Sequence, residues 1–163
     1  MSGLIFHPYA PRDLDACLDI FRSNTPRFFR LEELDEFRQF LENPQGAYLV
    51  AVQNNEVVAC GGYAYHDGKQ AVVLTWGMVR ADLHKHGLGK FLLTERLRQI
   101  YIDFSETIVK IDTSQYSQGF FEKQGFKTDK IAEDFFAPGL HKVEMELYLN
   151  RGNYRTLLSE ANS

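Results

Sequence analysis

The stretch from Val79 to Phe91, Val-Arg-Ala-Asp-Leu-His-Lys-His-Gly-Leu-Gly-Lys-Phe, constrains the fold more than any other part of this sequence. Residues 71–79 before it are rich in β-branched and aromatic side chains, which predicts a buried strand. After it, leucine and isoleucine recur at helical spacing from Leu88 to Ile100. Glycines at the start of the helix let backbone N–H groups turn toward a ligand, and the first helical turn carries unpaired N–H groups. The pattern therefore predicts an anion site suited to phosphate or pyrophosphate.

Two common nucleotide-binding motifs do not fit this stretch. A P-loop has Ser or Thr after its lysine, whereas Lys90 is followed by Phe91 and the glycine spacing is wrong. A Rossmann fingerprint needs a third glycine, which is missing after Gly89, and the preceding strands look like antiparallel hairpins. A nucleotide-binding regulator that holds ATP or NAD is therefore the least favoured interpretation.

Length and charge narrow the class of protein. A chain of 163 residues suits one domain, expected over residues 1–149, followed by a C-terminal tail at 150–163. The net charge of −4 argues against a nucleic-acid partner. Cys17 and Cys60 lie far apart without CxxC spacing, which favours reduced core residues over a disulfide or metal site. The absence of a signal-peptide pattern and of a bilayer-length apolar run predicts a cytoplasmic protein without a membrane partner.

Hydrophobic periodicity predicts the order of the remaining elements. Strands are expected at residues 4–9, 47–53, 56–65, 71–79, 107–112, 126–131 and 141–149. Helices are expected near residues 11–22 and 31–41, after the glycine pair, after a cap at Thr113 or Ser114, and in the tail. The predicted fold is α/β, with a mixed, mostly antiparallel central sheet of about six or seven strands and helices on both faces.

Two motifs in this order resemble the GNAT family of acetyl-CoA-dependent N-acetyltransferases. The family's central signature, Arg/Gln-x-x-Gly-x-Gly/Ala after a strand, matches His84-Lys85-His86-Gly87-Leu88-Gly89. A second signature, an Asn-led helix ending in Phe-Tyr-Glu-Lys-Leu-Gly-Phe, resembles residues 114–126, Ser-Gln-Tyr-Ser-Gln-Gly-Phe-Phe-Glu-Lys-Gln-Gly-Phe. The resemblance spans about residues 4–149. It implies acetyl-CoA as co-substrate, no metal, and direct transfer of the acetyl group to a primary amine.

The resemblance also implies roles for the residues of the first motif. The backbone of Gly77, Met78 and Val79 would pair with the pantetheine arm like an added strand, and the N–H of Val79 would polarise the thioester carbonyl. Backbone N–H groups of Lys85, His86, Gly87, Leu88, Gly89 and Lys90 would hold the pyrophosphate. His84 stands where the family has Arg or Gln. Histidine can still donate a hydrogen bond there, but unlike arginine it has a charge that depends on pH.

The second motif departs from the family pattern at the general acid. Ser114 falls where many members place an Asn that contacts the cofactor arm. Phe121 falls where many place a tyrosine that protonates the departing thiolate, and it has no hydroxyl group. Tyr116 is the nearest phenol and the candidate for that catalytic role, although a packed helix residue is the more frequent use of such a tyrosine.

The general base is also missing from its usual positions. Val73 and Val109 are apolar where several members carry a glutamate. Because the attacking amine must be neutral, another group has to accept its proton. His66 or a chain of waters could do so, although His66 also fits a turn residue. A non-catalytic CoA-binding sensor or interaction module is therefore the alternative function.

The acceptor is not identified by the sequence. It is expected to be an amine on a small molecule or a peptide. Aromatic residues could line its pocket or belong to the core: Tyr63, Tyr65, Trp76, Phe28 and Phe29. For Trp76 the core is favoured. Homodimers are common in the family, and the sequence leaves that state open.

Overall fold

A computed structural model describes residues 3–161 of the chain. Its strands are β1 (Ile5–Pro8), β2 (Ala47–Gln53), β3 (Glu56–His66), β4 (Ala71–Val79), β5 (Thr107–Thr113), β6 (Lys127–Ala137) and β7 (Leu140–Leu149). Its α-helices are α1 (Leu14–Ser23), α2 (Leu34–Glu42), α3 (Leu88–Phe104), α4 (Gln115–Lys123) and α5 (Arg151–Ala161). Short 3-10 turns cover Pro11–Asp13, Leu31–Glu33, Asp67–Lys69 and Ala81–Leu83. In this described part no helix is both long and apolar enough to cross a membrane.

The strands form a seven-stranded sheet in the order β1-β2-β3-β4-β5-β7-β6. The pairs β1–β2, β2–β3, β5–β7 and β6–β7 are antiparallel. The pair β4–β5 is parallel, with Val72 opposite Val109 and Val73 opposite Lys110. The sheet is therefore mixed and mostly antiparallel, and together with five α-helices it confirms the predicted α/β fold.

Turn residues set the boundaries of β2 and β3. Asn54 and Asn55 both have left-handed backbone angles, with φ of 54° and 65°. This conformation belongs to the tight hairpin turn whose twist matches that of the flanking strands, and asparagine tolerates it better than most residues. The structure therefore places the predicted hairpin at these two residues.

Strand β6 is longer than the sequence predicts. The expectation covered residues 126–131, whereas the strand runs over Lys127–Ala137. It lies at the edge of the sheet, and most of its side chains are exposed. An exposed edge strand buries neither face completely, so its sequence lacks the apolar alternation that reveals other strands.

The chain divides into two compact units, each with its own buried residues. The first unit contains the residues up to Ala64 together with Thr75–Arg96. One of its buried clusters contains aromatic rings: the fully buried rings of Phe21 and Phe37 stack with their centroids 5.6 Å apart. Cys17 and Cys60 lie in the same cluster as free, buried thiols, which confirms their prediction as core residues.

The second unit contains Tyr65–Leu74 and the residues from Leu97 onward. Its buried residues include Val72, Leu97, Ile100, Val109, Phe126, Val143, Met145 and Leu149. The rings of Tyr101 and Tyr154 stack with centroids 4.1 Å apart, which holds α5 against the end of α3. The predicted tail helix is therefore present. The limits at 149 and 150 stay a prediction, and Met1, Ser2, Asn162 and Ser163 at the ends of those ranges lie outside the described residues.

Candidate active site

The glycine-containing loop has the predicted order of strand, loop and helix. Strand β4 ends at Val79, and α3 begins at Leu88. Lys85 and Gly87 have left-handed backbone angles, with φ of 66° and 83°. The glycine at 87 takes this angle without the steric cost that a side chain would bring. Leu88 is buried in an apolar cluster of the first unit and so fixes the start of the helix, while the side chain of His86 is exposed.

Two side chains hold the carbonyl group at the end of β4. The amide Nδ2 of Asn24 donates to the Val79 oxygen at 2.9 Å, and the His84 Nε2 lies 2.9 Å from the same oxygen. A ring nitrogen facing a carbonyl must be the donor, so Nε2 of His84 carries a hydrogen. The edge of the Phe28 ring packs against the imidazole, with centroids 5.3 Å apart. Both hydrogen-bonding sites of the Val79 oxygen are therefore used within the protein.

Asn24 is a residue that the sequence analysis missed. It lies just after α1, is 4% exposed, and also donates to the Ile20 oxygen at 2.8 Å. Next to it, the Ser23 hydroxyl accepts a hydrogen bond from the Ala81 N–H at 3.0 Å. The only local signal was a polar segment ending a helix, which does not reveal a partner 55 residues away. The end of α1 thus supports the loop between β4 and α3.

Arg80 fixes the first turn after β4. Its side chain pairs with Glu56 at 2.9 Å and with Asp82 at 2.7 Å, and its backbone N–H donates to the Val58 oxygen at 2.9 Å. Hydrogen bonds to Asp82 and Glu56 raise the pKa of the Arg80 guanidinium. The pairs are partly exposed, so they orient the turn more than they stabilise the fold.

Strand β4 contains a left-handed residue before its end. Trp76 has φ of 41°, which is uncommon for a bulky side chain and marks local strain. The Tyr48 hydroxyl donates to the Trp76 oxygen at 2.8 Å. The indole ring packs on the aromatic cluster of the first unit, with Phe37 at 5.1 Å and Phe29 at 6.1 Å between centroids. These contacts agree with the core interpretation of Trp76.

Arg96 is a second residue that the sequence analysis missed. It lies on α3 with only 3% of its surface exposed, and its Nη1 donates to the Gly62 oxygen at 3.3 Å. Its Nε is buried and has no hydrogen-bond partner among the described residues. Burial lowers the pKa of the guanidinium to about 10, and Tyr48 and Cys60 act in the opposite direction. Helical spacing could have revealed Arg96, because it falls four residues after Leu92 on the apolar side of the helix.

The second motif lies in the second unit. Ser114 caps α4, since its Oγ accepts a hydrogen bond from the Tyr116 N–H at 3.3 Å, and it is 7% exposed. Phe121 is buried and packs against the ring of Phe126 at 5.4 Å between centroids. Tyr116 is 49% exposed. Val109 is fully buried, and its apolar side chain cannot accept a proton.

The other candidate residues have structural contacts of their own. The His66 ring nitrogen Nδ1 accepts a hydrogen bond from the Lys69 N–H at 3.2 Å, which caps the turn after β3. Tyr63 is buried, whereas Tyr65 is exposed and stacks on Phe104 at 5.9 Å. Across residues 3–161 no group of three His, Cys, Asp or Glu side chains is arranged to hold a metal ion.

Solved structures share this fold at low sequence identity. A GNAT-family protein from Desulfovibrio desulfuricans superposes with a TM-score of 0.77 at 19% identity, over 90% of this chain and 99% of that chain. The ribosomal-protein-S18-alanine N-acetyltransferase from Escherichia coli gives 0.75 at 15% identity, over 90% and 94%. An aminoglycoside 6′-N-acetyltransferase complexed with coenzyme A gives 0.74 at 15% identity, over 89% and 97%. No curated protein sequence matches the chain.

Sequence comparison with protein families gives the assignment that fold similarity alone does not. The family model described as an acetyltransferase (GNAT) domain matches residues 20–149. That range includes β4, the glycine-containing loop, α3 and the α4 motif. The chain therefore belongs to the GNAT family of N-acetyltransferases.

Proposed function

We propose that this N-acetyltransferase binds acetyl-CoA at the segment from β4 to the start of α3. The observation that carries the proposal is the loop itself, with a left-handed Gly87 immediately before a helix that begins at Leu88. Backbone N–H groups of residues 85–90 would bind the pyrophosphate, where the helix dipole favours negative charge. The coenzyme A bound by the aminoglycoside 6′-N-acetyltransferase of the same fold supports this cofactor. No metal is part of the proposal.

The pantetheine arm would lie along Gly77, Met78 and Val79. The Met78 side chain is buried, so its backbone rather than its side chain is available for such pairing. The Val79 oxygen already accepts hydrogen bonds from Asn24 and His84. The carbonyl of Val79 thus has a structural role. Because only a hydrogen-bond donor can polarise the thioester oxygen, we assign the Val79 N–H to that contact.

The reaction is direct attack of a neutral primary amine on the thioester. The amine nitrogen forms a bond to the acetyl carbon, the carbon–sulfur bond breaks, and its electron pair leaves with the sulfur of coenzyme A. The nitrogen then loses one proton to water, and the thiolate gains one proton. Tyr116 is the proposed donor of that proton, while Ser114 and Phe121 would contact the cofactor arm.

The acceptor is proposed only as a primary amine, on a small molecule or a peptide. The relatives of the same fold include an aminoglycoside 6′-N-acetyltransferase and a ribosomal-protein-S18-alanine N-acetyltransferase, so one fold accommodates acceptors of very different size. Neither a nucleic acid nor a membrane is a proposed partner. A homodimer stays compatible with the sequence.

Calorimetric titration with acetyl-CoA tests the cofactor. Saturable binding is expected for acetyl-CoA and not for ATP or NAD. Gly89→Glu should abolish it, because a carboxylate in the first turn of α3 would repel the pyrophosphate. Ser159→Glu, which adds the same charge at an exposed position of α5, is the matched control and should bind normally.

Two outcomes of the titration would contradict the proposed cofactor site. Equal binding by Gly89→Glu would place the cofactor elsewhere, and no binding by the natural protein would overturn the cofactor proposal. A screen of small amines and peptide N-termini, read by release of free thiol, then tests turnover. Tight binding of acetyl-CoA without turnover across the screen would favour the non-catalytic sensor, which the apolar positions Val109 and Phe121 keep open.

A further inference from the structure

The buried guanidinium of Arg96 packs against the backbone of Gly61 and Gly77, which have no side chains. A Cβ added to Gly77 would meet the Arg96 Nη2 at 2.8 Å and Nη1 at 2.9 Å. A Cβ added to Gly61 would meet the Arg96 Cζ at 3.3 Å and the Gly77 Cα at 3.1 Å. Glycine at both positions is therefore what gives the guanidinium its space against β3 and β4.

This arrangement is costly for a residue with a structural role alone. Removing a charge from water carries a large penalty unless other groups compensate it. The Gly62 oxygen accepts a hydrogen bond from Nη1, but Nε has no partner within residues 3–161. The titratable groups that act on Arg96 are Tyr48 and Cys60, a phenol and a thiol, rather than a carboxylate. An apolar side chain would satisfy the packing of α3 at lower cost, so the positive charge calls for another explanation.

We propose that Arg96 stabilises the negative charge that develops on acetyl-CoA during acetyl transfer. The inference rests on the proposed function, in which the cofactor arm lies along Gly77, Met78 and Val79. Gly77 has no side chain, and a Cβ there would lie within 2.9 Å of both terminal nitrogens of Arg96, so the guanidinium packs against the backbone along which the arm is proposed to lie. A charge fixed in a water-excluded site acts more strongly than the same charge in water and needs no reorganisation during the reaction.

The charge acts on the step in which the carbon–sulfur bond breaks. As the amine nitrogen bonds to the acetyl carbon, negative charge builds first on the thioester oxygen and then on the departing sulfur. Arg96 keeps its proton throughout; the nitrogen's proton goes to water, and the thiolate is protonated by another donor. A fixed positive charge would offset the absence of a hydroxyl group at Phe121, because it lets the sulfur leave before protonation is complete.

The test needs no known acceptor. Acetyl-CoA labelled with ¹³C at the acetyl carbonyl is bound to the protein, and its carbonyl stretching band is measured by infrared difference spectroscopy. A nearby positive charge polarises the carbonyl and lowers its frequency. Arg96→Met, which is similar in length and neutral, should shift the band to higher frequency, and Arg96→Lys should shift it less. Arg155→Met removes an exposed arginine of α5 and should leave the band unchanged.

Kinetics with an amine that the screen identifies give the second readout. Arg96→Met should lower kcat by about 10²-fold, the effect of losing one charge-stabilising group, with the KM for acetyl-CoA nearly unchanged. Gly77→Ala should lower kcat as well, since its Cβ displaces the guanidinium. An unshifted band and an unchanged kcat in Arg96→Met would overturn the proposal. If Arg96→Met does not fold, Arg96→Lys and Gly77→Ala carry the test. Failure of the natural protein to bind acetyl-CoA would instead refute the proposed function.

Discussion

Tyr116 and Phe121 are the two residues that bear on the identity of the general acid. Phe121 is buried against Phe126, whereas Tyr116 is 49% exposed in the first turn of α4. If Tyr116 protonates the departing thiolate, removal of its hydroxyl group should lower kcat and leave the affinity for acetyl-CoA unchanged. The expected loss for Tyr116→Phe is about 10²-fold, the low end for a general acid, because water competes at an exposed position.

Steady-state rates of thiol release with an accepted amine measure this effect. Tyr148→Phe removes a phenol that is 58% exposed on β7 and serves as the control. An unchanged kcat in Tyr116→Phe would mean that the sulfur leaves without help from this phenol. A large gain in Phe121→Tyr would then indicate that the usual position of the acid is still usable.

Local sequence signals explain which residues of the site could be predicted. Gly87 and Leu88 could be predicted because glycine spacing and helical periodicity are patterns of neighbouring residues in the sequence. Asn24 was not, because its function depends on the Val79 oxygen, which only the folded chain brings within 2.9 Å. For Arg96 the sequence does contain a signal, because a charged residue there falls on the apolar side of the helix.

At the level of elements, the boundaries that the sequence predicts best are those set by turns. Strands β2 and β4 agree with their predicted ranges, 47–53 and 71–79, at both ends. Their flanking residues favour turns strongly, as Asn54 and Asn55 do after β2. Strand β6 extends six residues beyond its prediction, since an exposed edge requires neither apolar alternation nor a sharp end.

The contact between α1 and the loop after β4 leads to a prediction about both elements. Asn24→Ala removes the hydrogen bonds from Nδ2 to the oxygens of Ile20 and Val79. The Ile20 oxygen keeps the Ser23 hydroxyl as a donor and the Val79 oxygen keeps His84, so the change removes two ordinary hydrogen bonds. The free energy of unfolding should therefore fall by about 1–3 kcal/mol. Acetyl-CoA affinity should fall as well, because the loop loses its support.

Urea unfolding and calorimetry measure the two effects of Asn24→Ala. Asn43→Ala, at an exposed position after α2, is the control and should change neither. Reduced stability with unchanged acetyl-CoA affinity would show that α1 supports the fold without ordering the cofactor loop.

At the level of the whole molecule, the charge of Arg96 couples stability to pH. Burial lowers its pKa to about 10 in the folded chain, below the pKa that an arginine has in the unfolded chain. The unfolded chain therefore binds this proton more tightly, and stability rises with pH between these two values. Below pH 10 the cost of the buried charge is fully present. Replacement of a buried charge by an apolar side chain of similar volume is often stabilising, by about 1–4 kcal/mol.

Arg96→Met is thus expected to unfold at a higher urea concentration than the natural protein at neutral pH. The difference between the two proteins should shrink as the pH rises above 10, because only the natural protein loses the penalty there. Groups that titrate in both proteins cancel in this comparison, so the difference isolates Arg96. A variant that is less stable at neutral pH would mean that the hydrogen bond to Gly62 outweighs the cost of the charge, and that the fold itself requires the arginine. A variant that is more stable but slower would mean that the arginine is retained for the reaction at the expense of stability.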